Sequence, residues 1–171
     1  DHECVGENVY LNIIRHASRY VYIFTPYLII DNEMMEALCL ASKSGVDVRI
    51  VTPGIPDKKI VYMLTKSYYP QLIDAGVRIY HYTPGFIHAK CYVCDDEVGV
   101  VGTINMDYRS LYLHFECGTY IYNSKAIADL KKDFFDTFEV SREVHKKDRP
   151  KRVSLITMTF KAILRLFAPL M

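Results

Sequence analysis

The chain has 171 residues, half of them hydrophobic, and a formal net charge of +1. That is enough for one globular domain with a sizeable core, and too apolar for a disordered segment. Residues 142–171 hold eight Lys and Arg against two acidic side chains, whereas the remainder holds 13 basic and 18 acidic residues, so the body is a poor surface for a nucleic-acid backbone.

Residues 6–17 carry Val9, Tyr10, Ile13 and Ile14 at helical spacing, which predicts a first helix with Arg15, His16 and Arg19 near its polar end. Residues 20–26, YVYIFTP, are a short aromatic and β-branched run and predict a buried strand. Asp31 or Asn32 is placed to cap a second helix that carries Met34, Met35, Leu38 and Leu40 through Ser44, with Gly45 as its stop. Residues 46–51 predict the next strand, so this part reads as a parallel strand–helix–strand unit. TPGIP at 52–56 is a turn, and residues 57–72 predict a helix interrupted near Pro70 and ending at Gly76. A third strand follows at 77–82, then the loop Thr83-Pro84-Gly85. Strands at 90–94 and 98–101 are joined by Asp95-Asp96-Glu97. Residues 105–112 predict a short helical turn and 114–122 a last strand. Ser124 caps a helix running to about Val140, with Ala126, Ile127, Leu130, Phe134, Phe135 and Phe138 as its apolar face.

The first residue is Asp1 and no signal-like apolar segment follows it, so the chain reads as a fragment of a longer protein, cut in a linker. Cys4, Cys39, Cys91, Cys94 and Cys117 are odd in number and scattered through apolar runs, as expected of reduced, buried thiols in a cytoplasmic-side domain. Cys91 and Cys94 lie three apart on a predicted strand and face opposite sides, which favours core thiols over a shared metal or redox pair.

Residues 86–116, FIHAKCYVCDDEVGVVGTINMDYRSLYLHFE, concentrate the reactive side chains. His88, Lys90 and Asp95 stand at the spacing H-x-K-x-x-x-x-D. Side chains two apart on a strand share a face, so His88 and Lys90 point one way and Ala89, Cys91 and Val93 the other. An imidazole beside an ammonium suits an anion with two oxygens: the Lys neutralises oxygen charge, and the His attacks or donates a proton. Gly102 permits close backbone approach to a phosphate, and Thr103 and Asn105 are spaced to reach one phosphoryl group. Glu116 follows where a carboxylate can hold a His ring nitrogen. His2, His16, His81, His114 and His145 lack the downstream Lys and Asp and read as surface or packing residues.

H-x-K-x-x-x-x-D followed by G-T-x-N resembles the motif of the phospholipase D superfamily. GTINMDYRS, then LHFE, is similar to the second catalytic (HKD) motif of bacterial cardiolipin synthases. With PYLIIDNEM, GVDVRIVTPG and AGVRIYHYTPGFIHAK, the resemblance covers nearly the whole chain and departs at His114, where the family usually has Asn. It implies an α/β phospholipase D-like lobe over residues 1–141, with the HKD motif at 88–110. Its sheet would be mixed and mostly parallel, flanked by helices on both faces in an α-β-α sandwich. The resemblance further implies that His88, Lys90 and Asp95 form the catalytic set. Lys90, Thr103 and Asn105 would bind the non-bridging phosphate oxygens, Asp95 would hold the motif's turn, and Glu116 would orient a catalytic His, with no metal and no cofactor.

One imidazole cannot both attack phosphorus and protonate the leaving oxygen in line, so a single motif is half a site. The family arrangement therefore implies an N-terminal HKD lobe outside this chain, or a homodimer partner. The implied reaction is phosphatidyl transfer between two phosphatidylglycerols, giving cardiolipin and glycerol through a phosphohistidine, on anionic phospholipids at the cytoplasmic side of a bacterial membrane. Hydrolysis by a phospholipase D-type enzyme, or a homodimeric single-HKD endonuclease, is the alternative. The acidic body argues against a nucleic-acid partner.

Residues 142–171 read as a basic amphipathic C-terminal tail. Past Pro150, apolar residues recur at three-to-four spacing with Lys161 and Arg165 between them, and no apolar run is long enough to span a bilayer. An interfacial helix is expected, with Lys151, Arg152, Phe160, Lys161, Arg165 and Phe167 contacting the membrane. The bland alternative is a helix packed on the lobe.

Overall fold

The computed structural model describes residues 3–148 together with Thr159 and Leu164. In chain order the first elements are α1 (Val5–His16), β1 (Tyr20–Phe24), β2 (Leu28–Ile29), α2 (Asn32–Lys43), β3 (Asp47–Pro53), α3 (Lys59–Ala75) and β4 (Arg78–Tyr82). Then come β5 (Cys91–Cys94), β6 (Val98–Gly102), β7 (Met106–Asp107), a π-helical turn (Arg109–Leu113), β8 (Gly118–Tyr122), α4 (Ala126–Glu139) and β9 (Ser141–Val144).

Alternation in the strands builds two cores from one sheet. All of β1 is buried, yet Val21 and Ile23 enter one apolar cluster and Tyr20, Tyr22 and Phe24 the other, as a two-residue period requires. Helices α1, α2 and α3 cover the first face, and α4 covers the second through Ile127 and Phe134. The Phe134 ring stacks on Phe24 with centroids 3.7 Å apart. The sheet order is β8-β6-β5-β1-β3-β4-β9. Parallel pairing is confined to the centre, β1 with β3 and β3 with β4, where α2 and α3 supply the crossovers. The outer pairs are antiparallel. The expected mixed α/β sheet with helices on both faces is thus the observed architecture.

Local chemistry sets the element ends. Asp31 caps α2 by accepting from the Met34 N–H at 2.8 Å. Gly76 closes α3 with φ +104°, a left-handed conformation that glycine adopts without steric cost.

Several expectations are corrected. α3 runs unbroken through Pro70; the ring is exposed, while Tyr68, Tyr69 and Leu72 hold the buried face on the sheet, so only a solvent-side hydrogen bond is forgone. Residues 105–112 are not one helical turn: Met106 and Asp107 pair with Leu28 and Ile29 before the π-helical turn begins. The last strand starts at Gly118 rather than at residue 114, leaving Glu116 outside it. Leu40 and Phe135, assigned to apolar faces, are exposed. The boundary at 141 is also too early, because β9 continues the sheet by pairing with β4. All five cysteines are free, and Cys91 and Cys94 do enter opposite cores. Cys117, however, is exposed and Cys4 half-buried, since each lies just outside a regular element.

The proposed membrane contacts Lys151, Arg152, Phe160, Lys161, Arg165 and Phe167 lie outside the described residues. Leu164 is helical and 8% exposed, buried in the core that α1–α3 share. Among the described residues no helix is long and apolar enough to cross a membrane.

Candidate active site

Strand pairing gathers the motif at one rim of the sheet. Phe24, the last residue of β1, pairs with Cys91, the first of β5. His88 and Lys90 therefore stand beside the carboxyl end of β1, on an irregular segment rather than within the strand. Gly102, the last residue of β6, pairs with Gly118, the first of β8, and its N–H donates to the Lys90 carbonyl at 3.1 Å. Open α/β sheets bind ligands at this rim, outside the carboxyl ends of their strands.

His88, Lys90, Thr103 and Asn105 line one open cleft of about 540 Å³, room enough for a phosphodiester group. His88 is exposed and Lys90 buried. The Lys90 ammonium lies 2.8 Å from His88 Nδ1 and 3.0 Å from Nε2, and donates to the His88 carbonyl at 2.7 Å. Desolvation, and then the adjacent ammonium, hold the imidazole below its ordinary pKa, with Asp57 opposing them. The ring therefore gives up its proton more readily than a free histidine. Burial presses the Lys90 ammonium down as well, while Glu116 and Asp107 pull it back.

The other expected residues divide. Thr103 donates to the Glu116 carboxylate and accepts from the Cys117 N–H at 3.0 Å. Glu116 is thus engaged by Thr103 rather than by a histidine. Asn105 Nδ2 donates to the Ser110 hydroxyl at 2.9 Å, and among the described residues its buried Oδ1 has no partner. Asp95, expected both in the catalytic set and as the residue that holds the motif's turn, lies away from His88 and Lys90 at the opposite rim, past the far end of β5, about 16 Å from Lys90 along an extended strand. Its carboxylate accepts from the Ser18 N–H (2.6 Å), the Ser18 hydroxyl (2.9 Å), the Arg19 N–H (2.9 Å) and the Tyr20 N–H (2.8 Å). It fastens the start of β1 to the β5–β6 turn and touches nothing at the cleft. His114, where the resemblance departs from its pattern, accepts from Arg109 at 2.5 Å on the surface.

Sequence reasoning gave no role to four polar residues at the rim. Asp107 is buried, its carboxyl raised by that burial and also by Glu116, and it caps the π-helical turn by accepting from the Ser110 N–H at 2.8 Å. Tyr27 donates to Asp57 at 2.9 Å. GTINMDYRS contains Asp107 and Ser110, but no spacing rule ties Tyr27 to Asp57.

Gly102 makes the close approach of β6 to β8 possible. A Cβ there would stand 2.4 Å from the Cys117 carbonyl oxygen and 2.7 Å from Gly118 Cα. Gly102→Ala is expected to cost about 1–3 kcal/mol by overpacking against backbone, read by chemical denaturation, and to part Thr103 from Glu116.

A phospholipase D family member, Nuc, from Salmonella typhimurium shares this architecture with a TM-score of 0.72, over 82% of this chain and 91% of that one, at 19% identity. The fold is that of the phospholipase D-like proteins. A family model described as cardiolipin synthase, PLD-like domain, matches residues 10–137, and the chain belongs to that family. An uncharacterized protein of Streptococcus mutans is 53% identical over all of this chain and 37% of its own length. A cardiolipin synthase of Clostridium perfringens is 43% identical over 96% of this chain and 34% of its own. The chain spans about a third of the length of the curated relatives it matches.

Proposed function

We propose that this chain is the C-terminal catalytic half of a cardiolipin synthase, a phosphatidyltransferase that joins two phosphatidylglycerols into cardiolipin and glycerol. The carrying observation is the exposed His88 imidazole held within 3.0 Å of the Lys90 ammonium at the cleft. Since one imidazole cannot act on both sides of phosphorus, a second HKD lobe, or a second copy of this chain, supplies the other. The nucleophilic histidine of that lobe attacks the phosphorus of the first lipid. A P–N bond forms, the P–O bond to glycerol breaks, and His88 as general acid protonates the leaving oxygen. His88 then takes the proton of the second lipid's primary hydroxyl, whose oxygen displaces the first histidine.

Lys90 neutralises the non-bridging oxygens, and Thr103 and Asn105 join it by exchanging partners. A phosphate oxygen only accepts, so Thr103 must turn its proton from Glu116 to the substrate. That frees the Glu116 carboxylate to orient a histidine N–H. A 180° turn of the Asn105 amide lets Ser110 donate to Oδ1 and presents Nδ2 where the partnerless oxygen now sits. Asp95 acts from the opposite rim as a fold-holding residue.

The assay incubates the polypeptide that contains this chain with vesicles of phosphatidylglycerol labelled in the headgroup. Cardiolipin and free glycerol in equal amounts are expected. Phosphatidic acid without cardiolipin would make the enzyme a hydrolase, and neither product would remove the proposal. The tail is proposed to rest on the anionic, cytoplasmic face of a bacterial membrane through Lys151, Arg152, Phe160, Lys161, Arg165 and Phe167. Vesicle flotation should weaken when residues 150–171 are deleted; equal binding would leave the tail as packing, the role Leu164 already plays.

A further inference from the structure

Tyr27 lies in the turn that leaves the carboxyl end of β1, and Asp57 in the loop that leaves the carboxyl end of the adjacent parallel strand, β3. Both loops open onto the rim where His88 and Lys90 enter β5. The Tyr27 hydroxyl donates to Asp57 Oδ2 at 2.9 Å. Among the described residues Asp57 Oδ1 takes no hydrogen bond, and Asp57 is exposed while Tyr27 is half-buried. Fixed contacts hold the pair in place. The Thr25 hydroxyl donates to the Tyr27 carbonyl at 2.6 Å and accepts from the Met106 N–H at 3.2 Å, tying this turn to β7. The Tyr62 hydroxyl donates to the Gly54 carbonyl at 2.9 Å, and the Gly54 N–H donates to the Tyr82 carbonyl at 3.0 Å, tying the second loop to α3 and β4. Asp57 is near enough to act electrostatically on the His88 ring.

We infer that Tyr27 and Asp57 form a subsite for the alcohol side of the phosphodiester, binding the free hydroxyls of a polyol headgroup; this rests on the phosphodiester reading of the His88 cleft. The chemistry is that of donors and acceptors. A carboxylate with one free oxygen accepts from a hydroxyl, and a phenol whose proton is committed to that carboxylate still offers lone pairs to a second hydroxyl. A glycerol headgroup carries two hydroxyls beyond its phosphate and can meet both acceptors. A neutral polyol suits this place better than an ammonium, because Lys58 and Lys59 follow Asp57 directly and Lys90 lies at the same rim. The pair would hold the alcohol oxygen at the His88 ring, so Tyr27 and Asp57 choose the headgroup while His88 and Lys90 handle phosphorus.

The test measures binding of water-soluble headgroup probes to the polypeptide that contains this chain, by titration calorimetry. The probes are glycerophosphoglycerol, its methyl-ester analogue lacking the headgroup hydroxyls, and glycerophosphoethanolamine. Asp57→Asn and Tyr27→Phe should each weaken glycerophosphoglycerol about fivefold to tenfold, in line with the loss of one hydrogen bond, and leave the methyl analogue within about twofold. Equal weakening of both probes, or of neither, overturns the subsite. Selective weakening of the ethanolamine probe overturns the hydroxyl assignment in favour of an ammonium site. Wild-type protein that binds none of the three sinks the phosphodiester reading itself, and the subsite with it. Unchanged circular dichroism and melting temperature exclude misfolding of the variants, both of which alter rim side chains only.

Discussion

His88→Ala is expected to lower phosphatidyl transfer by about 10³-fold or more, the scale of losing a general acid–base and beyond it if the imidazole also bonds phosphorus. The fold should persist. The side chain is exposed, and its described contacts are the Lys90 ammonium and the Phe86 ring, whose centroid lies 5.9 Å away. The pH profile carries a second, independent signature. Desolvation and Lys90 hold the imidazole below its ordinary value, which is about 6.5 in an unperturbed peptide. As the general acid of the first step, His88 sets the alkaline limb of the profile, which should therefore fall below that value. Lys90→Met removes a lowering charge and should shift the limb upward, in addition to slowing turnover. Transfer retained in the alanine variant would remove His88 from the chemistry.

Asp95→Ala should cost about 2–4 kcal/mol of stability while leaving the rim chemistry intact in the fraction that folds. Alanine orphans the N–H groups of Ser18, Arg19 and Tyr20, which the carboxylate now satisfies within 2.9 Å. It also places a β-carbon at φ +53° without a side chain that tolerates that conformation. Asp95→Asn keeps one acceptor oxygen and the left-handed preference, so it should recover part of the loss. Burial alone would raise the Asp95 carboxyl, but the N–H groups of Tyr20, Ser18 and Arg19 together hold it below its ordinary value. A depressed carboxyl contributes fully above the unfolded value, about 3.9, and its contribution fades as pH falls through the folded one. The gap between wild type and Asp95→Ala, measured by urea denaturation, should accordingly narrow below about pH 3.9, leaving the part set by the lost acceptor and the left-handed backbone. A gap that stayed constant into strong acid would show that charge plays no part.

The division of labour between these two residues was only half legible in H-x-K-x-x-x-x-D. A two-residue spacing beside a strand brings His88 and Lys90 together by local geometry, whatever the rest of the chain does. A five-residue separation along the same strand carries Asp95 to the opposite rim, and what it meets there depends on where β1 begins. The same contrast holds elsewhere. Residues 20–24 and 47–51 announce buried strands through their own side chains. The pairing of β2 with β7 joins segments of two residues each, too short to leave a periodic signal. β9, half-exposed at the sheet edge, has no apolar alternation to mark it.

By itself, then, the amino-acid order determined the strand–helix alternation, a cap at Asp31 or Asn32 and the stop at Gly76, and the adjacency of imidazole and ammonium. Each of these depends on side chains within a few residues of one another. Only the tertiary structure decided that Glu116 answers to Thr103, that Tyr27 meets Asp57, that Asp95 meets the start of β1 at the rim opposite His88, and that the sheet extends to β9. Those contacts join segments brought together by crossovers and turns, and the energy that selects them comes from burying both faces of one sheet.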